Sequence, residues 1–153
     1  MGDTVDGVTV TPLHQIEDER GAVLHMLRRD DAEFTQFGEC YFSEVVPGAV
    51  KAWKRHRRQT QQLSVPVGRV RFVVFDDRAS SPTQGRLQVL ELGRPDAYVR
   101  LGIPPGLWYG FACLGDLPAL VANCADEPHD PSESETRPED HPDIPYGWSP
   151  PGP

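Results

Sequence analysis

Apolar side chains that recur at every second position constrain the fold of this chain most strongly. They lie on both sides of a central glycine, Gly68, at Leu63, Val65, Val67, Val70, Phe72 and Val74. A period of two is the pattern of a β-strand, whereas an α-helix repeats every ~3.6 residues. A glycine between two such runs is typical of a tight turn. The stretch 63–75 therefore predicts two consecutive strands.

Further short strands are predicted at residues 22–27, 38–46, 86–92, 97–103, 111–114 and 119–123. The turns between them are rich in glycine and proline, of which the sequence holds 14 and 16. About nine short strands with hardly any helical periodicity favour an all-β protein built as a double-sheet jelly roll. A chain of 153 residues can bury a core in one domain without disulfides or a metal.

The acidic residues are concentrated at the end of the chain. Residues 126–153 hold eight acidic residues, one arginine and eight of the 16 prolines, so they contribute −7 to the net charge of −8. Such a composition cannot form a core of its own. We therefore expect a jelly-roll domain over residues 1–125 and a Pro/acid-rich tail over 126–153 that docks partly on it through Ile144, Tyr146 and Trp148.

Basic residues, in contrast, crowd into positions 51–58, as Lys51, Lys54, Arg55, Arg57 and Arg58. A local positive field of this kind attracts an anionic ligand, so we expect a small-molecule substrate that carries negative charge. The cluster is short and no nucleic-acid module accompanies it, so nucleic acid is not an expected partner.

The cysteines and the hydropathy of the sequence indicate the cellular compartment in which the protein is expected. The three cysteines are an odd number without a C-x-x-C pair, which is typical of free thiols in a reducing compartment. No signal peptide and no apolar run long enough to span a bilayer is present in the sequence. We expect a cytoplasmic protein with no membrane partner.

The stretch from Gly48 to Gly68 resembles the first motif of the cupin barrels. That motif reads G, five residues, H-x-H, three or four residues, E, six residues, G, and its positions fall here on Gly48, Lys54, His56, Gln61 and Gly68. The resemblance implies a double-stranded β-helix, the cupin jelly roll. A second cupin motif, P-x-G-x-x-H, is matched by Pro104, Gly106 and Tyr109.

Of the four usual cupin metal ligands, His56 alone remains. A catalytic metal needs about three protein ligands, and the ammonium group of a lysine at a ligand position repels a cation. We therefore expect no metal and no cofactor. Lys54 and His56 share one face of a strand because they lie two residues apart. With Tyr109 they form a constellation that can move protons.

Each member of this constellation has a plainer interpretation. Lys54 is either a base or anion binder in the barrel or a lysine that faces solvent, and burial and charge partners decide between the two. His56 is either catalytic or a hydrogen-bonded structural histidine. Trp53 and Trp108 either stack on a planar ring of the ligand or belong to the core.

Four segments resemble the dTDP-sugar 3,5-epimerase family and its sugar-nucleotide ketoisomerase relatives. They are DDRASSPTQGRLQVLELG, IPPGLWYGF, PALVANCADEPHDP and EDHPDIPYGW, and the similarity runs from about Glu19 to Trp148. The resemblance implies a jelly-roll homodimer with strand exchange. In the family, a histidine of an R-G-x-H motif is the base and a later tyrosine is the acid. The matching positions of this chain hold Lys54 and Ala122.

The resemblance also assigns other residues. Asp140 matches an acidic residue that orients the base, and Arg20 matches an arginine that contacts the nucleotide diphosphate across the dimer. The candidate catalytic residues are thus Lys54, His56, Tyr109 and Asp140. The candidate substrate-binding residues are Arg20, Lys51, Trp53, Gln61, Arg78, Trp108 and Asn123.

The expected function is that of a diverged, metal-free enzyme for acid/base isomerisation or epimerisation next to a carbonyl. Lys54 or His56 would be the base, and Tyr109 the acid or oxyanion donor, acting on a nucleotide sugar or a natural-product intermediate. Two alternatives remain open. One is a metal-free cyclase or dehydratase that acts on a non-sugar secondary metabolite, and the other is a non-catalytic binder of an anionic or nucleotide-sugar ligand.

Overall fold

Twelve strands and one short 3₁₀ helix form the described part of the chain. The computed structural model describes residues 4–148. The strands are β1 (Thr9–Pro12), β2 (Gln15–Asp18), β3 (Gly21–Leu24), β4 (Glu39–Val45), β5 (Val50–His56), β6 (Gln61–Val67), β7 (Arg69–Phe75), β8 (Leu87–Gly93), β9 (Val99–Ile103), β10 (Trp108–Cys113), β11 (Ala119–Ala125) and β12 (Ser134–Thr136). The helix, Pro131–Glu133, directly precedes β12.

Ten of these strands make two five-stranded antiparallel sheets. The order in the first sheet is β1-β9-β6-β11-β4, and the order in the second is β12-β5-β10-β7-β8. Strands β2 and β3 form a separate hairpin. The all-β jelly roll that the sequence predicted is confirmed.

The main core lies between the two sheets, where the period-two pattern placed it. Leu63 and Val65 of β6 and Val70, Phe72 and Val74 of β7 are all buried in one cluster. Val67 is 55% exposed and lies at the end of β6, so it is not part of this core.

Gly68 makes the turn between β6 and β7. Its φ is +83°, a conformation that side chains with a Cβ rarely adopt. A Cβ at this position would also lie 2.7 Å from Cα of Ala119. The glycine is therefore required both by the turn and by the close approach of the neighbouring backbone.

A second apolar cluster lies on the outer face of the second sheet and is covered by the C-terminal segment. Trp53, Val73, Phe75 and Trp108 are buried there with Ile144, and Tyr146 and Trp148 pack against them. The indole N–H of Trp53 donates to the carbonyl of Glu139 at 3.1 Å. The three predicted anchors thus lie on the sheet, while the domain boundary at residue 126 stays a prediction.

The acidic C-terminal segment neutralises much of the basic cluster. Arg55 and Arg57 pair with Glu135 at 2.9 and 3.1 Å, and Arg58 pairs with Asp130 at 3.2 Å. Opposite charges in the two segments therefore meet across β5. The expected basic field therefore does not extend over the whole stretch. Its positive charges that remain for a ligand are those of the two lysines, Lys51 and Lys54.

A bulge in β5 determines which way these lysines face. Lys54 lies opposite Tyr109, and Lys51 lies opposite Phe111, so β5 has one residue more than β10 between the two pairs. Strict alternation would point residues three apart to opposite faces of the sheet. Because of the extra residue, Lys51 and Lys54 both line the cavity between the sheets, and Lys51 is the more exposed of the two.

Gly110 allows this bulge, and its replacement is expected to destabilise the protein. A Cβ at Gly110 would lie 2.5 Å from Cβ of Ala52 and 3.0 Å from Cζ2 of Trp148. Gly110→Ala should lower the free energy of unfolding by about 1–3 kcal/mol, because the packed neighbours must shift. The matched control is Gly147→Ala, since an added Cβ there meets no atom within 4 Å. Urea unfolding of both variants measures the difference, and equal midpoints would contradict this account.

Cys40, Cys113 and Cys124 carry free thiols. Cys40 and Cys124 face each other across β4 and β11 with their Sγ atoms 3.5 Å apart. Between residues 4 and 148, no helix is long and apolar enough to cross a membrane.

Candidate active site

A cavity of about 320 Å³ lies between the two sheets, close to β4 and β5. Its apolar lining includes Leu63, Phe111 and Val121. Its polar lining comes from both sheets, with Tyr41, Ser43 and Asn123 from the first and Lys51, Lys54 and Tyr109 from the second. An apolar pocket with a few converging polar groups is the usual form of a small-molecule site.

The two cavity lysines differ in their surroundings. The amine of Lys51 donates to Oγ of Ser43 at 2.9 Å and to the carbonyl of Glu44 at 2.6 Å. The side chain of the half-buried Lys54 has no hydrogen bond or ion pair with another residue of the described range 4–148. Its amine is therefore available to a ligand, whereas that of Lys51 is held in place.

His56 is buried behind the cavity, between a carboxylate and a phenol. Its Nδ1 lies 2.8 Å from Oε1 of Glu133, and its Nε2 lies 3.3 Å from the hydroxyl of Tyr109. Burial lowers the pKa of His56 and outweighs the opposing effect of Glu133, while Lys54 lowers this pKa further. A neutral ring beside a carboxylate carries its proton on Nδ1, so Nε2 is an acceptor.

Glu133 orients His56 and was missed by sequence reasoning. It is 1% exposed, and its Oε2 accepts hydrogen bonds from the backbone N–H groups of Arg58 at 2.9 Å and Gln59 at 2.8 Å. Burial alone would raise the pKa of Glu133, but these bonds and the bond from His56 lower it, so the carboxylate is ionised. Glu133 ends the 3₁₀ helix in the acidic segment, where no sequence pattern separates it from its acidic neighbours.

The structure corrects the role expected for Asp140. Its side chain is exposed and makes no hydrogen bond to His56 or Lys54. The carboxylate that orients the histidine is that of Glu133 instead. The reason is the pairing of β12 with β5, which places Ser134 opposite His56 and so brings the residue before it onto the histidine ring.

Tyr109 places a protonated phenol at the cavity. It is only 6% exposed, and this burial raises the pKa of its hydroxyl, with Tyr41 and Glu133 adding to the effect. The phenol therefore keeps its proton at neutral pH. Its hydroxyl can donate either to Nε2 of His56 or to an oxygen atom in the cavity, which makes it a hydrogen-bond donor rather than a base.

Tyr41 and Asn123 form the opposite wall. Nδ2 of Asn123 donates to the hydroxyl of Tyr41 at 3.0 Å and also to Oε1 of Gln61. The backbone N–H of Gln62 donates to Oδ1 of Asn123 at 3.2 Å. Gln61 is fully buried and does not line the cavity, so it holds Asn123 in place rather than contacting a ligand. Sequence reasoning did not find Tyr41.

Ala122 occupies the position that the resemblance assigned to the acid tyrosine. Its neighbours on β11, Val121 and Asn123, line the cavity. Ala122 itself is buried outside the cavity lining, because successive side chains of a strand point to opposite faces. A phenol at the cavity comes from Tyr41 on the adjacent strand, which lies directly opposite Asn123.

The two candidate tryptophans do not offer a stacking surface. Trp108 is completely buried, and its indole N–H donates to Oδ2 of Asp77 at 3.0 Å. The guanidinium carbons of Arg55 and Arg137 lie over its ring, 4.5 and 4.4 Å from the ring centroid. Trp53 borders the cavity, but its indole ring packs into the outer cluster. The core interpretation therefore applies to both, because the C-terminal segment covers the face on which they lie.

Two candidate arginines also lie elsewhere. The guanidinium of Arg78 binds the fully buried Asp76 through Nε at 2.9 Å and Nη2 at 2.9 Å. Burial alone would raise the pKa of this carboxyl, but the hydrogen bonds from Arg78, Ser81 and Thr83 lower it. Arg78 thus stabilises the turn before β8 and borders a shallow surface groove, not the cavity. Arg20 is exposed on the β2–β3 hairpin and pairs with Asp18 at 2.6 Å. Its contact across a dimer stays a prediction.

The donor set at the cavity suits an organic ligand. Within residues 4–148, no group of three or more His, Cys, Asp or Glu side chains could hold a metal ion. The cavity instead presents two amines, two phenols, two aliphatic hydroxyls and an amide. These groups can bind an anion, donate hydrogen bonds and exchange protons.

Comparisons with known proteins identify the family of this chain. The family model described as dTDP-4-dehydrorhamnose 3,5-epimerase matches residues 3–151. The crystal structure of a dTDP sugar isomerase from Desulfovibrio desulfuricans G20 is 58% identical, with 94% of this chain and 92% of that chain covered and a TM-score of 0.93.

Two curated relatives are also similar over most of the chain. A probable low-salt glycan biosynthesis epimerase of Haloferax volcanii is 36% identical over 121 residues, which are 78% of this chain and 77% of the relative. A spore coat polysaccharide biosynthesis protein of Bacillus subtilis is 29% identical over 147 residues, 95% of this chain and 97% of the relative. The chain therefore belongs to the dTDP-4-dehydrorhamnose 3,5-epimerase family and is an enzyme of the epimerase and isomerase type.

Proposed function

We propose that the protein moves a proton at a carbon next to the carbonyl of a nucleotide-linked 4-keto sugar and thereby isomerises or epimerises it. The observation that carries the proposal is the amine of Lys54, which faces the cavity without a partner among the described residues and lies opposite Tyr109 in the strand register. A base beside a hydroxyl donor is what enolisation of a ketone requires.

Lys54 is the base in this proposal. In its neutral form the amine takes the proton from carbon, and the electron pair of the C–H bond moves onto the carbonyl oxygen to give an enolate. His56 is less suited to this role, because both of its ring nitrogens are engaged and it does not line the cavity. Lysine thus stands where the family resemblance expects a histidine, and it provides the same type of group.

Tyr109 is the oxyanion donor. Its raised pKa keeps the phenol protonated, so it can donate a hydrogen bond to the developing enolate oxygen. His56 and Glu133 lie directly behind it and hold its position. Because both groups are buried, the hydroxyl oxygen of Tyr109 has a fixed position, and its hydrogen only has to rotate from Nε2 of His56 to the enolate oxygen.

The substrate is proposed to be a dTDP-sugar. The cavity volume of about 320 Å³ is at the lower end of the range for small-molecule sites, so it suits a sugar ring better than a whole nucleotide sugar. The nucleotide diphosphate would extend through the mouth, and the charge of Lys51 favours an anionic ligand. The relative that is 58% identical is named a dTDP sugar isomerase.

We also propose that the enzyme acts in the cytoplasm as a homodimer. The free thiols support the first point. The exposed apolar side chains of Phe42 on the edge strand β4 and of Ile16 and Val23 on the β2–β3 hairpin support the second. A second copy of the chain would cover these surfaces, as the family resemblance implies.

The proposed function is tested by incubating the purified protein with a panel of dTDP-4-keto sugars in deuterated water and following the ring protons by NMR. We expect deuterium to enter at a carbon next to the carbonyl, together with a new isomer of the sugar. Binding of the panel without exchange at any ring carbon would contradict the proposal and would favour a non-catalytic binder.

A further inference from the structure

The cavity has two walls that carry different proton-transfer groups. Lys54 and Tyr109 belong to the second sheet, which forms one wall. The first sheet lines the other wall with Tyr41, Ser43, Leu63, Val121 and Asn123. Of these five residues, Tyr41 alone has a side chain with an ionisable proton.

The hydrogen bond of Tyr41 fixes the direction of its proton. Because Nδ2 of Asn123 is a donor, the oxygen of Tyr41 accepts this bond, and the phenol keeps its own O–H for a group in the cavity. Burial raises the pKa of Tyr41, and the bond from Asn123 acts in the opposite direction because it stabilises the phenolate. The hydroxyl therefore keeps its proton until a substrate carbanion takes it, and Asn123 stabilises the phenolate that forms.

A buried chain of amides holds this geometry. Asn123 is 1% exposed, and its Nδ2 also donates to Oε1 of Gln61, whose Nε2 donates to Oε1 of Gln59 at 2.9 Å. Each amide in this chain is oriented by the next, so Asn123 cannot turn its carbonyl towards Tyr41 without breaking two bonds. The donor character of Asn123, and hence the free proton of Tyr41, follows from this network.

We propose that Tyr41 is a catalytic acid that protonates the enolate carbon on the face opposite Lys54. This inference rests on the proposed function. Inversion at carbon requires that the proton leaves on one face and returns on the other, and the two walls provide a group for each face. The phenol O–H bond breaks, the electron pair of the enolate forms the new C–H bond, and the carbonyl is restored.

The step leaves a phenolate on Tyr41 and an ammonium group on Lys54. Asn123 stabilises the phenolate through its N–H. Tyr41 is 39% exposed, so water can return the proton to it and can remove the extra proton from Lys54. The balance of the cycle is therefore one proton lost to solvent and one gained from it, with no other reactant.

The test separates exchange from inversion in deuterated water. In the wild type and in Tyr41→Phe alike, Lys54 removes the proton from carbon. Its ammonium group then returns mostly deuterium to the same face, because the hydrogens of this group exchange with solvent. In Tyr41→Phe we therefore expect inversion to slow by about 10²–10⁴-fold, the usual contribution of an acid or base, while exchange with retention of configuration stays within a few-fold of wild type. Tyr98→Phe is the matched control, because its hydroxyl bonds to the carbonyl of His25 outside the cavity.

Three results would overturn the inference in distinguishable ways. Inversion by Tyr41→Phe at the wild-type rate would exclude Tyr41 as the acid and leave the proposed function intact. An equal loss of exchange and inversion would give Tyr41 a binding or structural role instead. Absence of both processes in the wild-type protein would overturn the proposed function, and the role of Tyr41 with it.

Discussion

Replacement of Lys54 by methionine is expected to lower kcat by about 10²–10⁴-fold, the range by which a positioned general base accelerates proton transfer. Methionine keeps most of the side-chain volume but removes the amine that faces the cavity. His56 cannot take over, because Glu133 and Tyr109 engage both of its ring nitrogens. The steady-state rate of product formation with a dTDP-4-keto sugar measures the effect.

Lys51→Met is the matched comparison within the same cavity. The amine of Lys51 bonds to Ser43 and to the carbonyl of Glu44, so it is held at the wall and is suited to bind charge. We expect this variant to raise KM and to leave kcat within a few-fold, because the lost interaction is present in both ground and transition state. A Lys54→Met enzyme with wild-type kcat, or the same loss of kcat in both variants, would contradict the assignment of the base.

The second large effect concerns stability. Glu133→Ala is expected to lower the free energy of unfolding by about 3–5 kcal/mol, as expected when one partner of a buried ionic network is removed. The substitution leaves the backbone N–H groups of Arg58 and Gln59 and the Nδ1 atom of His56 without their acceptor. Each unsatisfied buried donor costs about 1–3 kcal/mol. Urea unfolding at neutral pH measures this loss.

Glu135→Ala is the control, two residues further along the same segment. Its carboxylate pairs with Arg55 and Arg57 but its side chain is 32% exposed, so a loss of about 0–1 kcal/mol is expected. An equal loss of unfolding free energy in the two variants would mean that the contribution of Glu133 to stability does not depend on its burial.

The pH dependence of stability follows from the buried pair Glu133 and His56. The pKa of Glu133 is lowered in the folded state, so its stabilisation is present above its unfolded pKa of about 4.3 and is lost as the pH falls through the folded pKa. The pKa of His56 is also lowered, so protonation favours the unfolded state below about pH 6.5. Stability should therefore fall on acidification, and the difference between wild type and Glu133→Ala should narrow below about pH 4.3.

Much of the fold follows from local patterns in the sequence. The strands β6 and β7 carry a clear period of two around Gly68, and both were predicted from it. Strand β12 could not be predicted, because a short segment rich in proline and acid has no strand pattern of its own. Its position depends on pairing with β5 and on the buried bonds of Glu133, which are interactions between distant parts of the chain.

The candidate site was predictable only where local sequence motifs determine it. Motif spacing brought Lys54, His56 and Tyr109 together, and the structure places all three at or directly behind the cavity. Tyr41 was missed because nothing in β4 indicates which of its faces meets the cavity. Glu133 was missed because it is one of several acidic residues in the same segment. Only the register of β12 distinguishes it from Asp140.

The central claim is that Lys54 moves a proton on a bound nucleotide sugar. The most direct test compares wild type and Lys54→Met in deuterated water with one dTDP-4-keto sugar, with the binding of that sugar measured for both proteins. We expect both proteins to bind it, and the wild type alone to introduce deuterium next to the carbonyl at a substantial rate. Deuterium incorporation by Lys54→Met at the wild-type rate would contradict the account.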